Sequence, residues 1–140
     1  MVEVTSAGTS QASAKPVPKS PVEIVTTAWE PGERNVKVLA RSELLTVLLH
    51  RWDEGGEVAL HHHTDGDATW VVLEGEVTFH GEDDAVLARA ERHQAVVVPR
   101  NTMYWFVNSG QDPLVMFRVS ARVGGASTAD DRVYHKRQSP

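Results

Sequence analysis

Three consecutive histidines, His61, His62 and His63, end the run Val58–His63, which reads as a β-strand. Alternate side chains on a strand share a face. His61 and His63 therefore point one way and His62 the other. Two imidazoles on one face of one strand can both reach a single divalent ion. The plainer meaning of such a triplet is a polar cluster at a strand end, and the surrounding residues decide between the two. The chain has no cysteine, so thiolate ligands, thiol catalysis and a disulfide framework are excluded. Any metal would rest on His, carboxylate, Tyr or water. No G-x-S-x-G elbow, phosphate-binding loop or dinucleotide fingerprint is present.

The elements that must position these histidines are short and rich in Val, Thr and aromatics. They run Val22–Trp29, Val36–Ala40, Leu44–Trp52, Val58–His63, Thr69–Leu73, Val77–His80, Ala85–Ala90, Ala95–Val98, Met103–Val107 and Leu114–Arg122. Gly, Asp and Pro clusters such as Asp53-Glu54-Gly55-Gly56, Glu74-Gly75-Glu76 and Gln111-Asp112-Pro113 separate them. Many short strands at this spacing predict an all-β sandwich or barrel. Ser42–Leu49 also carries the pattern of a capped amphipathic helix. Its β-branched Thr and Val, and its β neighbours, favour a strand.

A length of 140 residues suits one domain with one core. Residues 1–20, rich in Ser, Ala, Thr, Lys and Pro, are expected to form a flexible arm. The barrel domain is expected over 21–122, and 123–140 as a loosely held tail. Net charge is −5 and no basic stripe occurs, which argues against nucleic acid as a partner. No apolar run is long enough to cross a bilayer, and the N-terminus lacks the features of a signal peptide. A cytoplasmic protein without a membrane partner is expected.

The frame around the histidines resembles the first conserved motif of the cupin superfamily. In that motif a glycine precedes a His-x-His pair, a glutamate follows it, and a second glycine closes a hairpin. Gly55, His61, His63 and Gly75 stand in this register, and Ala68 occupies the glutamate position. The second motif is matched by Pro99 and Asn108, with His93 and Asn101 at its glycines and Tyr104 at its metal histidine. The resemblance covers about Leu44 to Arg122. It implies the double-stranded β-helix, a jelly-roll barrel.

For the site, the resemblance implies a metal at His61 and His63, with Tyr104 as third ligand or as hydrogen-bond donor to substrate. Asp67, beside the empty glutamate position, is the competing ligand, provided a bulge turns it inward. Iron or copper is favoured, with manganese, nickel or zinc as further candidates. Trp70, Val72, Phe106 and Met116 are expected to line the cavity, with His50 and Phe79 near its rim. Three functions follow from the resemblance. The first is a metal-dependent oxidoreductase, dioxygenase-like, acting on a small oxygen-bearing organic substrate. The second is a non-redox isomerase, lyase or epimerase using His63 and Tyr104 as an acid–base pair. The third is a ligand-binding module without turnover. A homodimer is expected, with Val22–Trp29 pairing to a partner's sheet edge.

Overall fold

The computed structural model describes residues 22–30, 35–125 and 130–136. These residues form an all-β barrel of ten strands and no α-helix. The strands are β1 (Val36–Arg41), β2 (Leu45–Trp52), β3 (His61–His63), β4 (Gly66–Glu74), β5 (Glu76–His80), β6 (Val86–Glu91), β7 (Ala95–Val98), β8 (Trp105–Asn108), β9 (Leu114–Arg122) and β10 (Arg132–Tyr134). A five-stranded sheet runs in the order β1-β2-β9-β4-β7. Facing it are a three-stranded sheet, β6-β5-β8, and a two-stranded ribbon, β10-β3. Ser42–Leu49 is not helical: β2 begins at Leu45 and pairs with β9 along its length.

Period-2 alternation fills the interior. On β9 the inward residues are Leu114, Met116, Arg118, Ser120 and Arg122, and each meets inward partners from β2 or β4. Met116 lies between His50 and Val72, Arg118 between Leu48 and Trp70, and Ser120 between Thr46 and Ala68. The hydrophobic core is built from Trp70, Val72, Val77, Phe79, Ala90, Val98, Tyr104, Phe106, Leu114 and Met116.

The motif turns bear out the sequence reading. His93 and Asn101, which replace glycines of the motif, both adopt positive φ, 74° and 67°. Asn tolerates this region better than most residues. The turn at Asn101 is tied down where its N–H donates to the His63 carbonyl, 2.7 Å away. Asn108 closes the other end, its Nδ2 donating to the carbonyls of Trp52 and Asp112 at 3.0 and 2.9 Å.

Three expectations differ from the structure. Val22–Trp29 forms no strand; Val22 and Ile24 are fully exposed. Within its own chain the segment finds no ladder partner among the described residues, and an extended segment without one is not a strand. Residues 57–60 are also irregular, so the run Val58–His63 contracts to His61–His63. The third difference lies in the stretch read as a loose tail. Residues 130–136 return to the barrel, and β10 pairs with β3 in the register Arg132–His63, Val133–His62 and Tyr134–His61. The expected arm lies outside the described residues. No described helix is long and apolar enough to cross a membrane.

Candidate functional site

His61 sits between two tyrosines. On one side it forms an antiparallel bridge with Tyr104, its N–H donating to the Tyr104 carbonyl at 3.1 Å and its carbonyl accepting from Tyr104 N–H at 2.8 Å. On the other side it pairs with Tyr134. The His61 ring centroid lies 4.5 Å from that of Tyr104 and 5.2 Å from that of His63, with His63 and Tyr104 6.2 Å apart. The structure thus brings together the three residues expected from the sequence. His62 faces the opposite side and shares a 2.8 Å contact, Nδ1 to Nε2, with His135.

The tautomers follow from the partners. The Ala59 carbonyl can only accept, so His61 Nδ1, 2.8 Å away, carries the proton. Its Nε2 is left as a lone-pair acceptor, buried and without a partner. His63 Nδ1 likewise donates to the carboxylate of Asp131 at 2.8 Å. Asp131 is held in turn by the Asp65 N–H at 3.0 Å and lies 3.8 Å from the Arg122 guanidinium. Burial pushes the Asp131 carboxyl up, but these contacts outweigh it and the net shift is downward, so Asp131 stays ionised. Burial lowers the His61 pKa to about 4, against the Ala59 hydrogen bond. His63 is lowered too, by burial first, with the Asp131 bond opposing. Both rings are neutral near pH 7. Tyr104 is 1% exposed, and burial pushes its phenol above the usual tyrosine range, with Arg118 opposing. It is a phenol, not a phenolate.

Beside this group lies a cavity of about 360 Å³ lined by Val36, Leu48, His50, Glu57, His63, Trp70, Arg118 and Arg132. A smaller recess of about 190 Å³, which includes Asp131 and Arg122, shares Leu48, His63 and Arg118 with it. Arg118 stacks over Trp70, its guanidinium 5.6 Å from the ring centroid. Glu57 is raised by burial, with Arg118 and Arg132 opposing. His50, 1% exposed, accepts from the Trp52 indole N–H at 3.3 Å. An indole nitrogen only donates, so neutral His50 carries its proton on Nε2. Burial, then the charge of Arg118, lowers its pKa to about 3.

Of the expected lining residues, His50 and Trp70 face this cavity. Val72, Phe79, Phe106 and Met116 do not: they are at most 1% exposed and belong to the core. His50 and Phe79 are both buried, not at a rim. Asp67 is exposed and accepts from the Arg100 N–H at 2.8 Å, and β4 pairs without a bulge from Gly66 to Val72. It faces away from the site. Ala68 is buried on the inward face. Sequence reasoning missed Arg118, Glu57, Asp131 and Arg132. Arg118 carried a signal, since it follows inward Met116 by two residues on one strand. Asp131 and Arg132 lie in a Gly/Ser/Asp stretch without strand pattern, and Glu57 lies in an irregular loop.

Comparison with known proteins now fixes the class. The cupin domain family matches over residues 48–120, and the chain belongs to that family. Among solved structures it is similar to an uncharacterized conserved protein with a double-stranded β-helix domain from Klebsiella pneumoniae. That match has 21% identity, 79% of this chain and 90% of the other covered, and a TM-score of 0.61. It is also similar to an RmlC-like cupin protein from Desulfovibrio desulfuricans, at 30% identity, 61% and 79% coverage and TM-score 0.53. A third is KdgF from Halomonas sp., at 26% identity, 69% and 87% coverage and TM-score 0.54. No curated protein matches the chain.

Cupins often bind metals, and the residues here suit one in part. His61 and His63 are the right donors in the right tautomer, each Nδ1 anchored as in metal-ligating histidines. The protein supplies little else. Ala68 has no donor atom, Tyr104 is held protonated, and the cation of Arg118 shares the interior. Among the described residues no group of three or more His, Cys, Asp or Glu is placed to hold an ion. The arrangement fits an ion held by two imidazoles, not one closed in by protein ligands.

Proposed function

We propose that this cupin is a non-redox acid–base enzyme, of the isomerase, lyase or epimerase kind, acting on a small carbonyl-bearing molecule. The observation that carries the reading is the Asp131–His63 pair facing a protonated Tyr104. Asp131 fixes the His63 ring and stabilises the imidazolium that forms when Nε2 takes a proton. Tyr104 donates its hydroxyl proton in a hydrogen bond to the substrate oxygen that gains charge, and the nearby guanidinium of Arg118 favours that charge. Ala68 and the buried phenol favour this chemistry over a site built around a fully ligated ion.

A second reading, a metal-dependent oxidoreductase of the dioxygenase kind, is favoured by one observation: His61 Nε2 is buried with its lone pair unpartnered. His61 and His63 would hold the ion, and iron or copper there would supply Lewis acidity and redox chemistry.

The two are separated in deuterated water. Chelator-treated protein is mixed with a panel of small hydroxy- and oxo-compounds, and NMR follows exchange at carbons next to the carbonyl. Exchange that survives chelation and falls by about 10²–10⁴-fold in His63→Gln is the expected result. Activity that appears only on adding iron or copper supports the second reading and overturns the first. No exchange with any compound also overturns it.

A further inference from the structure

The polar atoms that line the cavity are lopsided. Buried protein groups almost always have hydrogen-bond partners, yet three N–H donors on residues lining the cavity lack a well-formed one, and the Tyr104 hydroxyl, which interacts with Arg118 and Trp70, is itself without one. The three donors are His50 Nε2, whose proton is placed by Trp52, the Trp70 indole Nε1 and Arg118 Nε. The first two belong to side chains 1% exposed. All three residues line the same 360 Å³ cavity. They also pack on one another: the His50 and Trp70 ring centroids are 4.8 Å apart, and the Arg118 guanidinium lies over the Trp70 ring.

Unlike Arg122 and Arg132, Arg118 has no ion-paired carboxylate among the described residues. Arg132 is paired with Asp130 at 2.8 Å and Arg122 with Asp65 at 3.3 Å, whereas no ion pair involves Arg118 among the described residues. Glu57 lines the same cavity and feels the charge of Arg118, but the two are not among the ion pairs of the described residues. A half-buried cation without an ion-paired carboxylate, beside donors without a well-placed acceptor, calls for a group with acceptor oxygens and negative charge. The planar guanidinium matches a planar carboxylate through two parallel hydrogen bonds. The cavity lies near the lower end of the size range for ligand pockets, which suits a small molecule. Val36 and Leu48 complete an apolar wall for its body.

We propose that the cavity binds a small organic carboxylate, its oxygens held by the Arg118 guanidinium and the N–H groups of Trp70 and His50. The carboxylate anchors the molecule at the middle of β9 and presents the rest of it towards His63. This assigns the substrate class of the site described above and rests on reading that site as one that binds a small molecule. It does not depend on which chemistry follows.

The test is binding without turnover. Chelator-treated full-length protein is titrated with benzoate, acetate, benzamide and phenyl phosphate, read by calorimetry and by tryptophan fluorescence. Benzoate should bind at least about tenfold more tightly than benzamide, which has nearly the same shape and no charge. Arg118→Met should remove that preference, and Arg118→Lys should keep part of it. His50→Phe, which leaves Arg118 in place, should weaken benzoate severalfold, so the proposal stays testable if Arg118→Met fails to fold. His63→Gln should keep the preference for benzoate over benzamide, which Arg118 sets, while losing exchange activity, and this separates a failed anion site from failed acid–base chemistry. Equal binding of benzoate and benzamide, unchanged benzoate affinity in Arg118→Met, or no saturation by either carboxylate would overturn the proposal. Tighter binding of phenyl phosphate than of benzoate would reassign the site to phosphate and overturn it as well.

Discussion

One sheet carries two unlike regions along the same strands. At one level His50, Met116 and Val72 lie side by side, with Met116 and Val72 fully buried. One step along, the same three strands present Leu48, Arg118 and Trp70; a further step gives Thr46, Ser120 and Ala68. The backbone alternation is unchanged, yet the interior passes from apolar packing to a cation, hydroxyls and open space. Phe79 and Phe106 close the first region, while His63, Glu57 and Arg132 edge the second. The apolar region carries the fold and tolerates no gaps. The polar region retains donors without well-placed acceptors, a cost in stability that the proposed ligand would offset.

The largest expected effect falls in the polar region. His63→Gln and Tyr104→Phe should each lower turnover by about 10²–10⁴-fold. Steady-state kinetics with unchanged metal content would separate this role from ligation. Loss of bound metal in Tyr104→Phe would mean that the phenol serves an ion and not the substrate.

Stability should respond with opposite sign in the two regions. Phe106→Ala opens a cavity in the core and should cost about 3–5 kcal/mol. Arg118→Met removes a half-buried charge that has no ion-paired carboxylate among the described residues and should raise stability by up to about 1 kcal/mol while abolishing anion binding. Urea unfolding of both variants checks the pair. A destabilised Arg118→Met would mean that the guanidinium is a structural member of the core, and the contrast between the regions would fail.

Between the regions sits His50, which should make the fold acid-sensitive. Its pKa is near 6.5 in the unfolded chain and about 3 in the folded one, because burial and the Arg118 charge disfavour the imidazolium. Below pH 6.5 the unfolded chain takes up a proton that the folded chain refuses. Stability is therefore complete above pH 6.5 and declines towards pH 3, by an amount on the order of 4 kcal/mol for a shift of this size. His50→Gln should flatten that part of the pH profile. An unchanged slope would place the acid sensitivity elsewhere, His61 being the next candidate with its pKa near 4.

How far the sequence revealed this molecule depended on whether a residue lay in a periodic strand. The barrel was legible because alternation and turn residues agree from Val36 to Arg122, and His61, His63 and Tyr104 because motif spacing fixed their register. Inwardness could be read for Val72, Phe106 and Met116. That they pack as solid core, while Arg118 faces the cavity, depends on which levels of the barrel fill completely, and period alone is silent on that. Asp131 could not be read at all. It approaches His63 from a segment 68 residues away whose strand is three residues long.

Asp131 supplies the last prediction, since it links the segment read as a tail to the chemistry. On the proposed acid–base reading it acts through His63, its 2.8 Å partner, and is a positioning residue. Asp131→Asn preserves the shape and can still accept from Nδ1–H, but removes the negative charge that steadies an imidazolium. The β10–β3 ladder is backbone pairing and should survive, so urea unfolding should change little. Turnover should fall about tenfold, as for comparable partners of functional histidines. The loss should be in kcat, because the residue touches no substrate, and the acid limb of the rate profile should move down as His63 becomes easier to deprotonate. In a double variant with His63→Gln the Asp131→Asn effect should vanish, because the partner through which it acts is gone. If Asp131→Asn lowers turnover equally with and without His63, the carboxylate acts by some other route, and the pairing of β10 to the site is architectural only.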